Sequence, residues 1–422
     1  MNKPGLIRSF GIYTTSTLLN GLVPFLLLPI LIYYLDPQQY GIAHLFVTTV
    51  GVTRMIGVLG VTNIVQLYFH QKSLSEFRTY LTSSWIMPVL FSALLLIVIV
   101  TFEKAIAMYL RVDPFWIYSI PLMGILFFVI QVSGVTLRNL EKPIHFGLVQ
   151  LSNTTINLGG SIILVALFGW GVEGRLAGYG LGLFLAALLG SYLLFKNGLI
   201  IRRLSFNRGV ELFWLGIPLV AHGVSALIIE KSDIYFVNAY LGANKLGVYV
   251  AGYQVGMAVM LLQAAMSDTL QPYYFKKLKN PTIASNITLV RIGYAFIVIL
   301  ILAALFVSLV SPYFFQFIRS EYVQSSTYVP IIASSYVFLG MYKIFSMPLF
   351  FQKRNRLIST ITIISAITNL GLNYLLIEQL GLLGVAWATL VAMFMLMILS
   401  LVFTLKYTDL PWFAFDKVLF RN

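Results

Sequence analysis

The stretch VGVTRMIGVLGVTNIV, residues 50–65, is apolar and glycine-dotted except for Arg54. A charged side chain at the centre of a membrane helix costs roughly 2.5–3.5 kcal/mol on insertion scales, so it calls for a chemical reason. Arginine supplies one: its planar fork binds phosphate oxygens bidentately and stays charged in any plausible environment. The competing reading is an arginine paired with a carboxylate between helices. A second apolar run carries Glu230, Lys231 and Asp233, with His222 upstream. At about 100° per residue, Glu230 and Asp233 project within about 60° of each other and His222 within about 20° of Asp233, whereas Lys231 points away from Asp233. This stripe has the chemistry to bind protons or a cation as a driving ion; the alternative is a salt bridge near the outer end of the helix, where snorkelling makes charge cheap. Lys343 and Arg291 are further candidates for a cationic lining around Arg54, and Asp268 joins the candidate ion-coupling residues. Arg291 and Asp268 lie close enough to expected helix ends for an interfacial position to account for them.

The elements that must position these residues are membrane helices. Of the 422 residues, 59% are hydrophobic and 10% charged, whereas about a quarter of an ordinary soluble chain is charged. Apolar runs long enough to cross about 30 Å of hydrocarbon recur along the whole chain, and strand-type alternation is absent. Hydropathy predicts twelve spans, at 6–34, 40–68, 79–101, 114–136, 144–169, 174–195, 211–240, 246–271, 288–311, 327–350, 357–377 and 382–405. The basic start MNKPGLIRSF runs into an apolar stretch with no small-residue cleavage site, so it is expected to be an uncleaved first span.

The net charge of +14 is explained by topology. Taking the N-terminus and alternate loops as one side collects most Lys and Arg there, including Lys72, Arg78, Lys142, Arg208, Lys276 and Arg354. The other side has only Lys104, Arg111, Arg175, Lys245 and Arg319. The positive-inside rule then places both termini in the cytoplasm, and no nucleic-acid partner is needed to explain the charge.

The connector FKNGLIIRRLSFNRG, residues 195–209, divides the chain into 1–209 and 210–422, each with six predicted spans. YLDPQQYGIA (34–43) is echoed by YLGANKLGVY (240–249), LYF (67–69) by YYF (273–275), and INLGG (156–160) by TNLGL (368–372). An even number of spans per half makes the repeat parallel, one of the architectures of alternating-access transporters. In this register Met260 stands where the first half has Arg54.

Other chemistries find no support. Gly174, Gly178 and Gly182 recur every four residues in an apolar helix with no preceding strand, which marks a close-packing face rather than a phosphate loop. The four histidines have no metal-ligand spacing, cysteine is absent, and no Walker motif or nucleophile–base constellation is visible. No cofactor is expected, apart from a proton or sodium gradient as a source of energy.

With this layout and the Asp36-Pro37 to Tyr40-Gly41 turn, in which Gly41 and its counterpart Gly247 are taken to begin the following helix, the chain resembles the polysaccharide-transport branch of the MOP exporter superfamily. The resemblance is to bacterial O-antigen and capsular-polysaccharide flippases. It implies an all-α polytopic protein of two parallel-repeat six-helix bundles in a MATE-like V around a central cavity. It also implies an undecaprenyl-diphosphate-linked oligosaccharide as substrate, moved from the cytoplasmic to the periplasmic leaflet of the inner membrane for lipopolysaccharide or capsule synthesis. A polysaccharide polymerase complex is an expected partner. A cation-coupled multidrug antiporter of the same superfamily is the alternative and predicts an acidic cavity. A polymerase or glycosyltransferase using the same lipid carrier is disfavoured, because such enzymes usually present a sizeable extramembrane loop and none is visible.

Overall fold

In the computed structural model, residues 21–58, 60–201 and 203–414 are described, with the side chains of 56–58, 218–223 and 226 left aside. The described residues are helical, without strands. The helices are α1 (Gly21–Tyr34), then α2 (Pro37–Val58), α3 (Val61–Gln71), α4 (Leu74–Ser83), α5 (Ile86–Thr101), α6 (Glu103–Leu110), α7 (Pro114–Asn139), α8 (Pro143–Ile162) and α9 (Gly171–Lys196). After the connector follow α10 (Phe206–Gly256), α11 (Ala258–Lys279), α12 (Ile283–Ile318), α13 (Val329–Phe351), α14 (Asn355–Leu380) and α15 (Leu382–Tyr407). The chain divides into two compact units, Met1–Val224 and Ser225–Asn422, so residues 210–224 group with the first.

Among the described residues, nine helices are long and apolar enough to cross a membrane, against the twelve spans expected. The difference has physical causes. The first predicted span lies partly outside the described residues. The second is broken into α2 and α3 at Gly60, whose φ of 68° is left-handed and whose Cβ position lies 2.8 Å from the Gly216 carbonyl oxygen. The seventh and eighth are two helices separated by a non-helical turn at Gly242, where φ is 81° and ψ 172°, but the turn is so short that they count as one stretch, Leu227–Lys279.

The Asp-Pro turn is a helix start. Asp36 Oδ1 accepts from the Gln39 N–H at 2.8 Å, and Gln39 Oε1 accepts from the Asp36 N–H at 3.3 Å, a reciprocal cap with Pro37 in the first helical position. The helix therefore begins at Pro37 rather than at Gly41. In the second half the chain turns at Gly242 rather than at Gly247.

In the first unit, α8 and α9 lie against each other along their length. A Cβ on Gly178 would collide with the backbone of Ser161, and one on Gly182 would stand 2.8 Å from the Cβ of Asn157. The four-residue glycine spacing is thus a packing face, as expected. The connector is not a free polar linker. Leu199 within it and Leu212 just after it enter a buried cluster with Val61, Tyr68, Phe77 and Phe128, and the Ser205 N–H donates to Ser83 Oγ at 2.9 Å. Tyr68 and Tyr80 each donate their hydroxyl to one oxygen of Glu211, both at 2.7 Å.

In the second unit, α13 packs against α11, α12 and α15, and α14 against α15. Tyr249 and Tyr336 are among the largest fully buried side chains.

Gly178→Val is expected to destabilise the first unit by about 1–3 kcal/mol through overpacking. Thermal unfolding in detergent should show a lowered midpoint. Gly159→Ala, where a Cβ meets nothing within 4 Å, should unfold like the wild type.

Candidate functional site

Each unit holds its own buried polar centre, and the two are opposite in charge. In the first unit, the Arg54 guanidinium on α2 lies over the Phe127 ring of α7, 3.4 Å from its centroid. Stacking uses the face of the guanidinium and leaves its N–H edge to bind a ligand. Tyr179 on α9 is near enough to interact electrostatically with Arg54 and with Arg175. Arg175 is buried, and its Nη1 donates to Asn157 Oδ1 at 2.6 Å and to Ser161 Oγ at 2.8 Å. The close approach of α8 and α9 is what brings those two α8 side chains within its reach. Among the described residues neither arginine has a carboxylate partner; the ion pairs are Lys231–Glu230 and Arg319–Glu321, both in the second unit. Two cations without a protein anion make a centre suited to an anionic ligand.

In the second unit, Asp233 on α10 is fully buried. Its Oδ2 accepts the Tyr249 hydroxyl at 2.7 Å and its Oδ1 the Ile234 N–H at 2.9 Å. Tyr249 lies on the same α10, beyond the turn at Gly242, so the two arms of that turn close on the carboxylate. Beside it, Ser232 Oγ donates to Asn369 Oδ1 at 2.8 Å, and Asn373 Nδ2 reaches both Ser232 Oγ and Asn369 Oδ1 at 3.2 Å. Thr389 on α15 lies near the Tyr249 hydroxyl without a well-formed hydrogen bond, and Asn373 Oδ1 is likewise buried and unsatisfied. A buried carboxylate, unsatisfied neutral oxygens and a tyrosine form a centre suited to a proton or a small cation.

The other candidates are dispersed. Glu230 pairs with Lys231 at 2.9 Å and acts electrostatically on Asp233. The side chain of His222 lies outside the described residues. Lys343 on α13, Arg291 on α12 and Asp268 on α11 are all exposed in the second unit, and Asp268 is not among the groups acting on Asp233. Sequence reasoning missed Arg175, assigned there to an outer loop because it stands close to the expected helix start. The signal was the polar pair Asn157 and Ser161, one helical turn apart on the preceding span. It also missed Tyr249, whose counterpart in the repeat, Ala43, has no hydroxyl.

A family model described as "Polysaccharide biosynthesis protein" matches residues 6–278. The chain belongs to that family. Among its relatives is "Lsg locus putative protein 1" of Haemophilus influenzae, 22% identical over 364 residues, covering 84% of this chain and 87% of the relative. Another is "Probable low-salt glycan biosynthesis flippase Agl15" of Haloferax volcanii, 24% identical over 84% of this chain and 74% of the relative. The fold is shared with an inward-facing multidrug resistance MATE family transporter of the MOP superfamily, with TM-score 0.71 at 15% identity over 91% of this chain and 94% of that one. It is also shared with the lipid II flippase MurJ in an inward closed conformation, with TM-score 0.69 at 16% identity over 95% and 87%. This member of the polysaccharide biosynthesis family is therefore a multi-pass membrane protein that shares the fold of a MATE transporter and of MurJ.

The two arginines should separate in stability measurements. Arg175→Ala leaves Asn157 and Ser161 without their donor and is expected to cost about 1–3 kcal/mol, lowering the unfolding midpoint in detergent. Arg54→Ala gives up its stacking on Phe127 but leaves no polar side chain without its donor, so it should lower the midpoint less than Arg175→Ala does.

Proposed function

We propose that the chain is a flippase for an undecaprenyl-diphosphate-linked oligosaccharide, such as an O-antigen or capsule repeat unit. It carries this from the cytoplasmic to the periplasmic leaflet of a bacterial inner membrane by alternating access of its two units. The observation that carries the reading is Arg54: a guanidinium within an apolar run, held by its face on Phe127, with no hydrogen bond or ion pair to a described residue. Its N–H edge is the protein's offer to a diphosphate, while the polyprenyl tail remains in the bilayer and only the anionic, sugar-bearing head leaves it. Tyr179 and Arg175 continue the same favourable field for an anion. Lys343 and Arg291 are proposed as further cationic lining.

Coupling is proposed to reside at Asp233. A proton or sodium ion entering there gains the carboxylate together with the unsatisfied oxygens of Asn373 and Thr389. It thereby changes the packing of the two arms of α10 around Gly242, which gives an ion gradient a structural element to act on. Both termini are proposed to face the cytoplasm, the side of the basic connector. A polymerase that consumes the delivered repeat units is the proposed partner.

Cells lacking the protein should accumulate lipid-linked repeat units on the cytoplasmic side, detected by radiolabelled lipid extraction. Arg54→Ala should abolish export while membrane insertion continues, and Arg54→Lys should rescue it partly; wild-type export by Arg54→Ala would overturn the reading. In vesicles with an imposed sodium or proton gradient, Asp233→Asn should make transport insensitive to the gradient. Undiminished gradient dependence would remove Asp233 from the coupling role.

A further inference from the structure

The internal repeat reaches into the two buried centres. Asn157 and Ser161 on α8 correspond to Asn369 and Asn373 on α14, each 212 residues later, and Arg175 and Tyr179 on α9 correspond to Val385 and Thr389 on α15, each 210 residues later. Packing bears out both offsets. A Cβ on Gly174 would stand 2.9 Å from the carbonyl carbon of Leu164, and one on Gly384 would stand 2.7 Å from that of Leu376. Gly384 follows Gly174 by 210 residues and Leu376 follows Leu164 by 212. The same backbone contact therefore closes both helix pairs, and the paired positions are structural equivalents.

At these equivalent positions the units carry opposite parts. In the first, Arg175 Nη1 donates to Asn157 Oδ1 at 2.6 Å and to Ser161 Oγ at 2.8 Å. In the second, a fully buried Val385 stands at the arginine's position, and Asn373 Oδ1 and Thr389 Oγ1 are buried without a hydrogen-bond donor. The carboxylate is distributed the other way round: Asp233 is fully buried in the second unit, and its counterpart in the first is the buried Leu27. Amide and hydroxyl oxygens that accept from a guanidinium are the same kind of atoms that surround a small cation. One unit thus has a fixed cation and no carboxylate, and the other a carboxylate and no cationic side chain at the equivalent of Arg175.

We infer that Arg175 is a tethered cation: in the first unit its guanidinium fills the position that the driving ion takes in the second. The inference rests on the coupling role proposed for Asp233 and adds a stoichiometry to it. A position filled by a covalently attached charge neither takes up nor releases an ion, so the gradient acts on the second unit alone, through a single ion site. The inference also separates the two arginines. Arg54 keeps its N–H edge for a ligand, whereas Arg175 commits donors to α8 and holds α8 and α9 in one arrangement.

The test is thermal unfolding of the full-length protein in detergent. Arg175→Ala should lower the midpoint, and free guanidinium at millimolar concentration should restore most of the loss, whereas urea, its neutral counterpart of similar planar shape, should restore none. Arg175→Lys should stay closer to the wild type than Arg175→Gln, which keeps a donor and gives up the charge. For the second unit, sodium in place of choline, or a pH series, should shift the wild-type midpoint through Asp233, and Asp233→Asn should abolish that shift. Glu230, Lys231 and Tyr249, the other groups acting on Asp233, are left intact throughout. Val385→Arg should abolish the same shift by giving the second unit a tethered cation of its own. Rescue of Arg175→Ala by urea as well as by guanidinium, or a full ion-dependent shift in folded Val385→Arg, would overturn the tethered-cation inference alone. Absence of any sodium- or pH-dependent shift that requires Asp233 would overturn the coupling reading and this inference with it.

Discussion

A charge within hydrocarbon must be compensated, and how each unit compensates its charges organises this structure. In the second unit the compensation is internal: Lys231 has Glu230, and Asp233 has the Tyr249 hydroxyl and a backbone N–H. In the first unit it is incomplete. Arg175 is satisfied by neutral oxygens alone and Arg54 by the face of a ring. Neutral partners stabilise a guanidinium without cancelling its charge, so the first unit retains a net positive interior that favours an anion.

The internal repeat makes this asymmetry more informative. The two halves share a helix-start segment and the spacing of their spans, yet the residues that carry charge do not match across the repeat. Met260 stands in place of Arg54, Leu27 in place of Asp233 and Ala43 in place of Tyr249. A duplicated scaffold has acquired a cationic centre in one copy and an acidic centre in the other. Divergence of this kind accords with the proposed flippase, in which the first half is proposed to bind an anionic cargo and the second a driving ion.

Much of this was legible in the sequence because hydrophobic periodicity and charge are local signals. Arg54 and Asp233 stand out against apolar neighbours, and the glycines of α9 announce a close helix contact through spacing alone. Three features were not legible. Gly60 breaks a hydrophobic run that hydropathy reads as one span, because a left-handed backbone position leaves no trace in an apolar average. Arg175 was read as a loop residue, because burial near a helix end depends on how tightly the neighbouring helix approaches. The connector was read as a linker from its charges, whereas Leu199 within it, and Glu211 and Leu212 just after it, hold it on the first unit through partners far away in sequence.

The turn at Gly242 has a consequence for how the protein is made. Asp233 and Tyr249 come from adjacent arms of a single hairpin, so the carboxylate has its hydroxyl partner as soon as that hairpin has left the insertion machinery, and Asn369, Asn373 and Thr389 join it when α14 and α15 follow. The cationic centre needs α2, α7, α8 and α9 together before Phe127, Tyr179, Asn157 and Ser161 can shelter two guanidiniums. During synthesis the Asp233–Tyr249 pair at the heart of the second unit's site is thus a local product of one folding event. That of the first is a late product of assembly, and until it is complete Arg54 depends on water or headgroups for solvation.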